Sequence, residues 1–441
     1  MNNFSDLVLL VGTNPLPNYV VAKYFLKNNK NLKKIWLLHS ETRVDIGQEG
    51  TKWLAENIKE VLTEEFNQKG LKFNYCSLSN VSSAKETRNN INEKLIKNLS
   101  NESNVHLNYT GGTKTMAVHS HRVLRENLKN VSFSYLDVRT FSLKDDEKGN
   151  ITEDLREKIN ISLENLMKLH GYERNKKASA NYWDHWKPTL ETFKQLIGCD
   201  KLQNYLKWKN DELRPIFYRF GKFLSWQDFQ RSYGSSSFKN SLNNDLRALL
   251  STIPGENKFF DEKWEIKINI NNENEYKRRC KETIEGFLDG KWLEGYVYMI
   301  LKQKTEKEFS RRNIPIEANW YIKKTKGKKT FELDVILING YQVCGISCTT
   351  SNYESRCKSK GFEVLHRVNQ IGGEEAKAIL ITCLPKEKTG KEGEKIKTVE
   401  EMDSDLKTIT GSDDEKLLVL GIDDLKEDKV WKKIKGFVWK D

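Results

Sequence analysis

The stretch Leu107-Asn108-Tyr109-Thr110-Gly111-Gly112-Thr113-Lys114-Thr115-Met116-Ala117 joins an apolar strand to a helix start through a Gly-Gly turn. Glycine lets the backbone approach a ligand closely, and a helix N-terminus presents unpaired N–H groups with a favourable dipole. Threonine hydroxyls and the Lys114 ammonium group add polar and positive groups at the same point. The stretch therefore predicts a phosphate-binding turn, with a plain strand-to-helix turn capped by threonine as the alternative.

Two earlier segments show the same order of apolar strand and polar loop. The run 7–11 precedes Gly12-Thr13-Asn14-Pro15-Leu16, and the run 35–38 precedes His39-Ser40-Glu41-Thr42. In a parallel α/β sheet such loops converge at the carboxyl ends of the strands, where ligands bind. Because no GxGxxG follows the first strand, the pattern differs from the dinucleotide fingerprint. The sequence predicts an anion-binding crevice that is not a NAD site.

These three loops resemble those of the CRISPR-associated Rossmann fold (CARF) sensor domain, and Thr110–Lys114 is the more specific part of the match. The resemblance covers residues 1–145 and implies binding of a cyclic oligoadenylate across the two-fold axis of a homodimer. Cyclic tetra-adenylate is the expected activator, although the residues themselves do not distinguish four adenylates from six. The implied ligand-binding residues are Gly12, Thr13, Asn14, Pro15, Leu16, Ser40, Thr42, Tyr109, Thr110, Gly111, Gly112, Thr113 and Lys114.

Composition limits the class of protein. A chain of 441 residues has room for two or three domains, and 7 prolines leave little room for a long disordered linker. There is no long apolar run and no cleavable leader pattern, and the 7 irregularly spaced cysteines suit a reducing compartment. We therefore expect a cytoplasmic protein with no membrane partner. Cys344, Cys348 and Cys357 lack the fourth ligand of a zinc site.

The formal net charge of +12 indicates a polyanionic partner. Basic runs lie in the second half of the chain, at 278–279, 311–312 and 323–329, the last in a predicted hairpin loop. Such runs bind phosphates without sequence preference, so the expected substrate is DNA, RNA or both. A lysine-rich surface with no partner is the alternative.

Residues 146–275 are predicted to form a central helical region. Apolar residues recur there at three- and four-residue spacing, and Trp183, Trp186, Trp208 and Trp226 are expected to form a small aromatic core. The segment Lys263–Ile268 permits a second interpretation, a helix-turn-helix with a wing. The turn-rich residues 234–237 are expected to form a loop in either case.

The chemistry is expected in residues 276–441. Glu294 lies on a predicted helix, and Asp334 lies on a predicted strand whose alternation places Glu332, Asp334 and Ile336 on one face. A second strand, 341–348, follows the Asn339-Gly340 turn. Hard carboxylate oxygens from a helix and a strand are ligands of Mg²⁺ or Mn²⁺. The sequence predicts a divalent-metal site that contains Glu294 and Asp334.

Residues 292–384 resemble the PD-(D/E)xK nuclease domain, in the form that is attached to CARF sensors in CRISPR ancillary nucleases. The resemblance implies a restriction-endonuclease-like α/β domain and a metal-dependent endonuclease, with Glu294 and Asp334 as metal ligands. It departs at the third element, because Ser347-Cys348-Thr349 stands where the family commonly has Glu-x-Lys.

Two interpretations of that departure compete. In the first, Ser347 lies in the site, Lys358 or Lys360 replaces the missing lysine from the following helix, and Glu363 supplies a carboxylate. In the second, catalysis is lost and the domain only binds or regulates. Asp334 on an open edge strand, and Glu294 paired with a lysine on a buried helix, are the structural alternatives.

The patterns predict an α/β protein with a Rossmann-like N-terminal domain and a central helical region, and the two resemblances imply that the outer domains are a CARF domain and a restriction-endonuclease-like nuclease domain. The function that the resemblances imply is a cyclic-oligoadenylate-activated nuclease of type III CRISPR antiviral defence. A ligand-responsive nucleic-acid-binding regulator without catalysis is one alternative. A sensor that degrades its own ligand is another, for which the crevice offers Lys114, Thr110 and Ser40 but no evident general base.

Overall fold

The computed structural model of the chain describes residues 4–66, 70–99, 103–174, 182–232, 240–268, 272–310, 312, 314–325, 330–387 and 397–439. Two sheets lie in these ranges, one near each end of the chain, with a mainly helical region between them. None of the described helices is both long and apolar enough to cross a membrane.

The N-terminal sheet has the order β3-β2-β1-β4-β5-β6-β7, in which the first five strands are parallel and the last two antiparallel. Its strands are β1 (Asp6–Val11), β2 (Lys34–Ser40), β3 (Lys72–Leu78), β4 (Val105–Asn108), β5 (Val131–Asp137), β6 (Ser142–Asp145) and β7 (Gly149–Asn150). Its helices are α1 (Leu16–Asn28), α2 (Lys52–Phe66), α3 (Ala84–Lys94) and α4 (Lys114–Asn127). Every residue of β1 is buried, as a central parallel strand requires. The Rossmann-like prediction is confirmed, and the sheet continues past residue 145 into β7.

The central region is mainly helical, as predicted. Its elements are α5 (Leu163–Leu169), β8 (Tyr172–Arg174), α6 (Tyr182–Gly198), α7 (Leu202–Trp208), a π-helical turn (Lys209–Leu213), α8 (Arg214–Phe217), β9 (Tyr218–Arg219), β10 (Lys222–Phe223), α9 (Trp226–Ser232), α10 (Asn244–Ser251) and α11 (Glu273–Tyr276). Within the described residues, the segment proposed as a wing contributes one bridge, between Phe260 and Ile266. Residues 234–237 lie outside the described residues.

The C-terminal sheet has the order β15-β14-β13-β12-β11-β8, so strand β8 of the central region completes its edge. Strands β13 to β15 are parallel and the other pairings are antiparallel. The elements are a π-helical segment (Lys277–Lys291), α12 (Trp292–Glu308), β11 (Ile316–Lys324), β12 (Thr330–Asn339), β13 (Gln342–Thr349), α13 (Glu354–Gly372), β14 (Lys377–Thr382), α14 (Val399–Thr410), β15 (Leu417–Leu420) and α15 (Glu427–Val438). Arg311 and residues 326–329 of the predicted basic runs lie outside the described residues.

The aromatic residues of the central region do not form a separate small core. Trp183, Trp186 and Trp208 are buried in one cluster that also contains residues of α12 and the C-terminal sheet, and Trp226 is partly buried against it. The ring of Trp186 stacks on Phe287 with centroids 3.8 Å apart. The central helices and the C-terminal sheet therefore share one core.

The N-terminal and C-terminal parts meet at the end of α13. A Cβ added to Gly373 would lie 1.9 Å from Asn14 Nδ2, so the loop after β1 packs directly against this turn. Gly373 has φ +74°, which glycine adopts without strain. Nearby, the Arg156 guanidinium donates to Gln342 at 2.7 Å. The loop predicted to bind ligand thus contacts the helix that follows β13.

Candidate ligand crevice and metal centre

Two of the predicted ligand loops touch each other at the edge of the N-terminal sheet. A Cβ added to Gly12 would lie 2.8 Å from the Gly112 backbone nitrogen, and one added to Gly111 would lie 2.1 Å from the Leu10 carbonyl oxygen. Gly112 has φ +76°, in the region that favours glycine. The glycines are required here because any side chain would separate the loops after β1 and β4.

The threonines of the β4–α4 loop make hydrogen bonds within the protein. Thr110 Oγ1 donates to Asn108 Oδ1 and accepts from the Leu136 backbone N–H, both at 2.7 Å. Thr113 is the N-cap of α4 and accepts from the Met116 N–H at 3.2 Å. Both hydroxyls therefore build the turn, as the capping alternative required, and this role is compatible with a ligand at the helix N-terminus.

The other polar loop residues are engaged in the same way. Ser40 Oγ accepts from the Thr51 N–H, Thr42 Oγ1 from the Gly50 N–H, and Asn14 Oδ1 from the Leu16 N–H, each at 3.1 Å. These bonds fix the loop shapes before any ligand arrives. Leu16 and Pro15 are buried in the start of α1.

Thr13, Thr42, Thr113 and Lys114 are the exposed members of the predicted set. Among the described residues, the Thr13 hydroxyl and the Lys114 ammonium group make no hydrogen bond or ion pair. The hydroxyl of Tyr109 is engaged within the protein: it donates to Asp146 Oδ1 at 2.6 Å, and burial, followed by this bond, raises the pKa of Tyr109. Lys94, which the sequence did not single out, pairs with Glu41 at 3.3 Å beside Ser40. The crevice can hold an anion through N–H groups and lysine.

A three-carboxylate cluster lies between α12 and β12. One oxygen from each of Glu294, Glu332 and Asp334 lies within 4.8 Å of the others. Asp334 is 5 % exposed, and its Oδ2 accepts from Ser347 Oγ at 2.9 Å and from the Cys348 N–H at 2.8 Å. Because β12 and β13 are antiparallel neighbours, Ser347 faces Asp334. The predicted Glu294 and Asp334 are brought together, with Ser347 beside them.

The cluster has the electrostatics of a cation site. Burial, then the neighbouring carboxylate of Asp334, raises the pKa of Glu294 well above its usual value. Burial also raises the pKa of Glu332, with Asp334 adding to it. Oε2 of Glu294 and Oε1 of Glu332 are buried without a hydrogen-bond partner among the described residues. Carboxylates that repel one another, two of which keep a buried oxygen without a donor, fit a divalent metal ion.

Only one of the two predicted lysines reaches this cluster. Lys360 Nζ lies 3.7 Å from Asp334 Oδ2. Burial alone lowers the pKa of Lys360, but Asp334, Glu294 and Glu363 outweigh it and the pKa is raised, so the ammonium group stays charged. Lys358 instead pairs with Glu354 at 2.6 Å and Asp405 at 2.9 Å.

Glu363 is not a member of the carboxylate cluster. Its side chain is exposed and lies 3.9 Å from the guanidinium Nε of Arg367, within electrostatic reach of Lys360. The structure therefore places the third carboxylate on the strand rather than on α13. That residue is Glu332, which the period of two on β12 had already put on the face of Asp334.

Lys291 is a second residue that the sequence interpretation left out. It ends the π-helical segment, and its charge lowers the pKa of both Glu294 and Glu332. A cleft of about 410 Å³ opens in front of the cluster, and Glu294, Lys291 and Lys360 line it. Its polar walls can admit an extended anionic chain to the carboxylates.

Comparison with known proteins assigns the N-terminal part. Residues 7–164 match the family model described as the Card1 CARF domain. No curated protein sequence matches the chain. The chain therefore contains a CARF domain, as the resemblance of its loops implied.

Two solved structures share the fold along nearly the whole chain. Protein VC1899 from Vibrio cholerae is 15% identical with a TM-score of 0.65, and the match covers 97% of this chain and 97% of that one. Can2 from Sulfobacillus thermosulfidooxidans, solved in complex with cyclic tetra-adenylate, is 15% identical with a TM-score of 0.59 over 98% and 97% of the two chains.

Proposed function

We propose that the chain is a nuclease that needs a divalent metal ion and is switched on by a cyclic oligoadenylate in type III CRISPR antiviral defence. The observation that carries the catalytic part is the cluster of Glu294, Glu332 and Asp334 with Lys360 beside it. The CARF domain and the ligand in the Can2 structure support the activator. In this proposal cyclic tetra-adenylate binds a homodimer, and DNA, RNA or both are cut.

The ligand site of the proposal lies at the contact between the loops of Gly12 and Gly112. The N–H groups at the start of α4 and the Lys114 ammonium group bind phosphates, and Thr13 adds an exposed hydroxyl. Ser40, Thr42, Thr110 and Asn14 shape the loops around the ring through the bonds described above. A ligand held by two protomers favours whichever relative arrangement both can contact, which is the source of its control over activity.

Each residue of the nuclease centre has a separate task in this proposal. Glu294, Glu332 and Asp334 would hold Mg²⁺ or Mn²⁺, which when bound supplies an activated water and stabilises charge on the phosphate. Ser347 and the Cys348 N–H orient Asp334. Lys360, kept charged by its neighbours, stabilises negative charge on the scissile phosphate from the position that Glu-x-Lys would otherwise supply.

The test is a cleavage assay on supercoiled plasmid and single-stranded RNA, with Mg²⁺ or Mn²⁺, with and without cyclic tetra- or hexa-adenylate. Glu294→Gln and Asp334→Asn should abolish cleavage while ligand binding stays intact. Glu306→Gln is the matched control, because Glu306 is exposed on the same helix, α12. Tight ligand binding without cleavage by the wild type would instead favour the non-catalytic regulator.

A further inference from the structure

The π-helical turn Lys209–Leu213 puts two cationic side chains on one side of the central helices. The Arg214 N–H donates to the Lys209 carbonyl, five residues back. In an α-helix, residues five apart point about 140° away from each other. The wider π turn brings positions i and i+5 close to the same direction. Lys209 and Arg214 can therefore reach one target.

That target is Asp289, at the end of the π-helical segment before Glu294. Lys209 Nζ lies 3.4 Å from Asp289 Oδ1, and Arg214 Nη1 lies 2.7 Å from the same oxygen. Lys209 is 3 % exposed and also donates to Thr350 Oγ1 at 3.1 Å. The side chains of Lys209 and Arg214 therefore share one carboxylate oxygen.

The cluster belongs to the wall of the cleft that leads to the metal centre. Five cationic side chains and three carboxylates line that cleft, and Arg214 is among the cations. The Arg214 side chain is 30% exposed, and its bond to Asp289 uses one of the five guanidinium N–H donors. The remaining N–H donors of the guanidinium group have the spacing that binds two oxygens of a phosphate group.

We propose that Arg214 contacts the phosphodiester backbone of the substrate beside the bond that is cut, so that the central helices form one wall of the nuclease site. The inference rests on the proposed nuclease function and adds a residue from outside the domain that carries the carboxylates. The ion pair with Asp289 and the ring of Tyr218, whose centroid lies 4.2 Å from the guanidinium carbon, fix the direction of the guanidinium. The cleft then binds the phosphates of the nucleic acid and makes no base-specific contacts.

Binding can be measured apart from cleavage. A fluorescein-labelled single-stranded oligonucleotide, made as DNA and as RNA, is titrated by anisotropy in EDTA with saturating cyclic tetra-adenylate over a series of NaCl concentrations. The slope of log K against log salt is negative, and loss of one phosphate contact makes it less negative by about 0.7 on a single strand. Arg214→Gln should show that change and bind about 5- to 10-fold more weakly at low salt.

Arg214→Lys keeps the charge and should keep the wild-type slope, with weaker binding because the fork is lost. Lys432→Gln is the control, since Lys432 is exposed on α15 and is not one of the cleft-lining residues. Thermal midpoints in EDTA identify any variant that fails to fold. An Arg214→Gln protein with wild-type slope and affinity overturns the inference while wild-type cleavage upholds the proposed function. A wild type that neither binds nor cuts overturns both.

Discussion

The loops around Gly111 and the carboxylates around Asp334 are both polar, but their polar atoms are satisfied in opposite ways. At the N-terminal edge, the hydroxyls of Thr110, Ser40 and Thr42 each accept a hydrogen bond from a backbone N–H group. At the C-terminal centre, Glu294 and Glu332 each have a buried oxygen without a partner among the described residues. The polar groups of the first region are satisfied by the protein itself, whereas the second region holds carboxylates whose mutual repulsion a bound cation would relieve.

The two regions therefore differ in the source of their affinity for a ligand. In the crevice, a ligand meets preorganised N–H groups and one exposed lysine, so binding costs little rearrangement. In the metal centre, binding removes carboxylate repulsion that the folded chain otherwise carries. Variants of the first region should therefore change affinity for the activator, and variants of the second should change catalysis, metal binding and stability together.

The largest expected effect is a difference in cleavage activity between variants of two lysines on α13. Lys360→Met should lower kcat/KM for cleavage by on the order of 10²- to 10³-fold, because the charge beside Asp334 is lost. Lys358→Met should leave it within about threefold, since Lys358 pairs with Glu354 and Asp405 instead. Single-turnover rates with saturating activator and Mn²⁺ measure both. Equal losses would mean that α13 presents a different face to the substrate.

Next in size is the loss of the exposed lysine at the crevice. Lys114→Met should weaken cyclic tetra-adenylate binding by about 10- to 100-fold, the range for one charge-assisted phosphate contact. Calorimetry measures the affinity, with Lys129→Met as the exposed control. Cleavage at saturating activator should return to the wild-type rate. Normal affinity in the Lys114 variant would show that the phosphates lie elsewhere.

A smaller effect follows from the raised pKa of Glu294. Below that pKa the carboxyl carries a proton that a metal ion must displace, so Mn²⁺ affinity should rise with pH until the raised pKa is passed. One competing proton changes the affinity by at most about tenfold per pH unit. Isothermal titration between about pH 5.5 and pH 8 measures this. Glu294→Gln should make the profile less steep, with the remaining pH dependence due to Glu332, whose pKa is also raised. An unchanged profile would assign the proton to another group.

The smallest expected effect concerns stability in EDTA. Because folding raises the pKa of Glu294, its ionisation destabilises the fold as pH rises above the unfolded-state pKa. Glu294→Gln removes that cost and should raise the thermal midpoint at neutral pH by about 1–2 °C. This is the shift that ~1 kcal/mol gives when the central helices unfold together with the C-terminal sheet whose core they share. Mn²⁺ should stabilise the wild type more than the variant. A lower midpoint in EDTA would contradict the carboxylate repulsion.

The sequence predicted the N-terminal fold well because its signals are local. Apolar runs of strand length, each followed by a polar or glycine-containing loop, determine a parallel sheet and the edge where its loops meet. The three- and four-residue spacing of apolar residues was sufficient to predict the central helices. Their packing could not be predicted in this way, since a shared core with α12 depends on contacts between segments far apart in the chain.

The metal centre was predicted only in part, for geometric reasons. Glu332 is two residues from Asp334 on β12, so the alternation of side chains along a strand was sufficient to place both on one face. A carboxylate on the solvent-exposed face of a sheet gives the same pattern, so the sequence alone did not identify Glu332 as part of the site. Lys358 and Lys360 differ by about 200° around a helix, and the sequence does not give the phase of α13. The π-helical turn that directs Arg214 has no signature in the sequence.

The contact between Asn14 and Gly373 joins the end of α13 to the loop after β1. From Lys360 to Gly373 this helix spans about 20 Å at 1.5 Å per residue, with one end beside the carboxylates and the other against the loop after β1. A helix is stiff over that length, so it transmits displacement along its axis rather than absorbing it. If the Gly12–Pro15 loop moved toward α13, it would displace Gly373, and the helix would change the distance between Lys360 Nζ and Asp334 Oδ2.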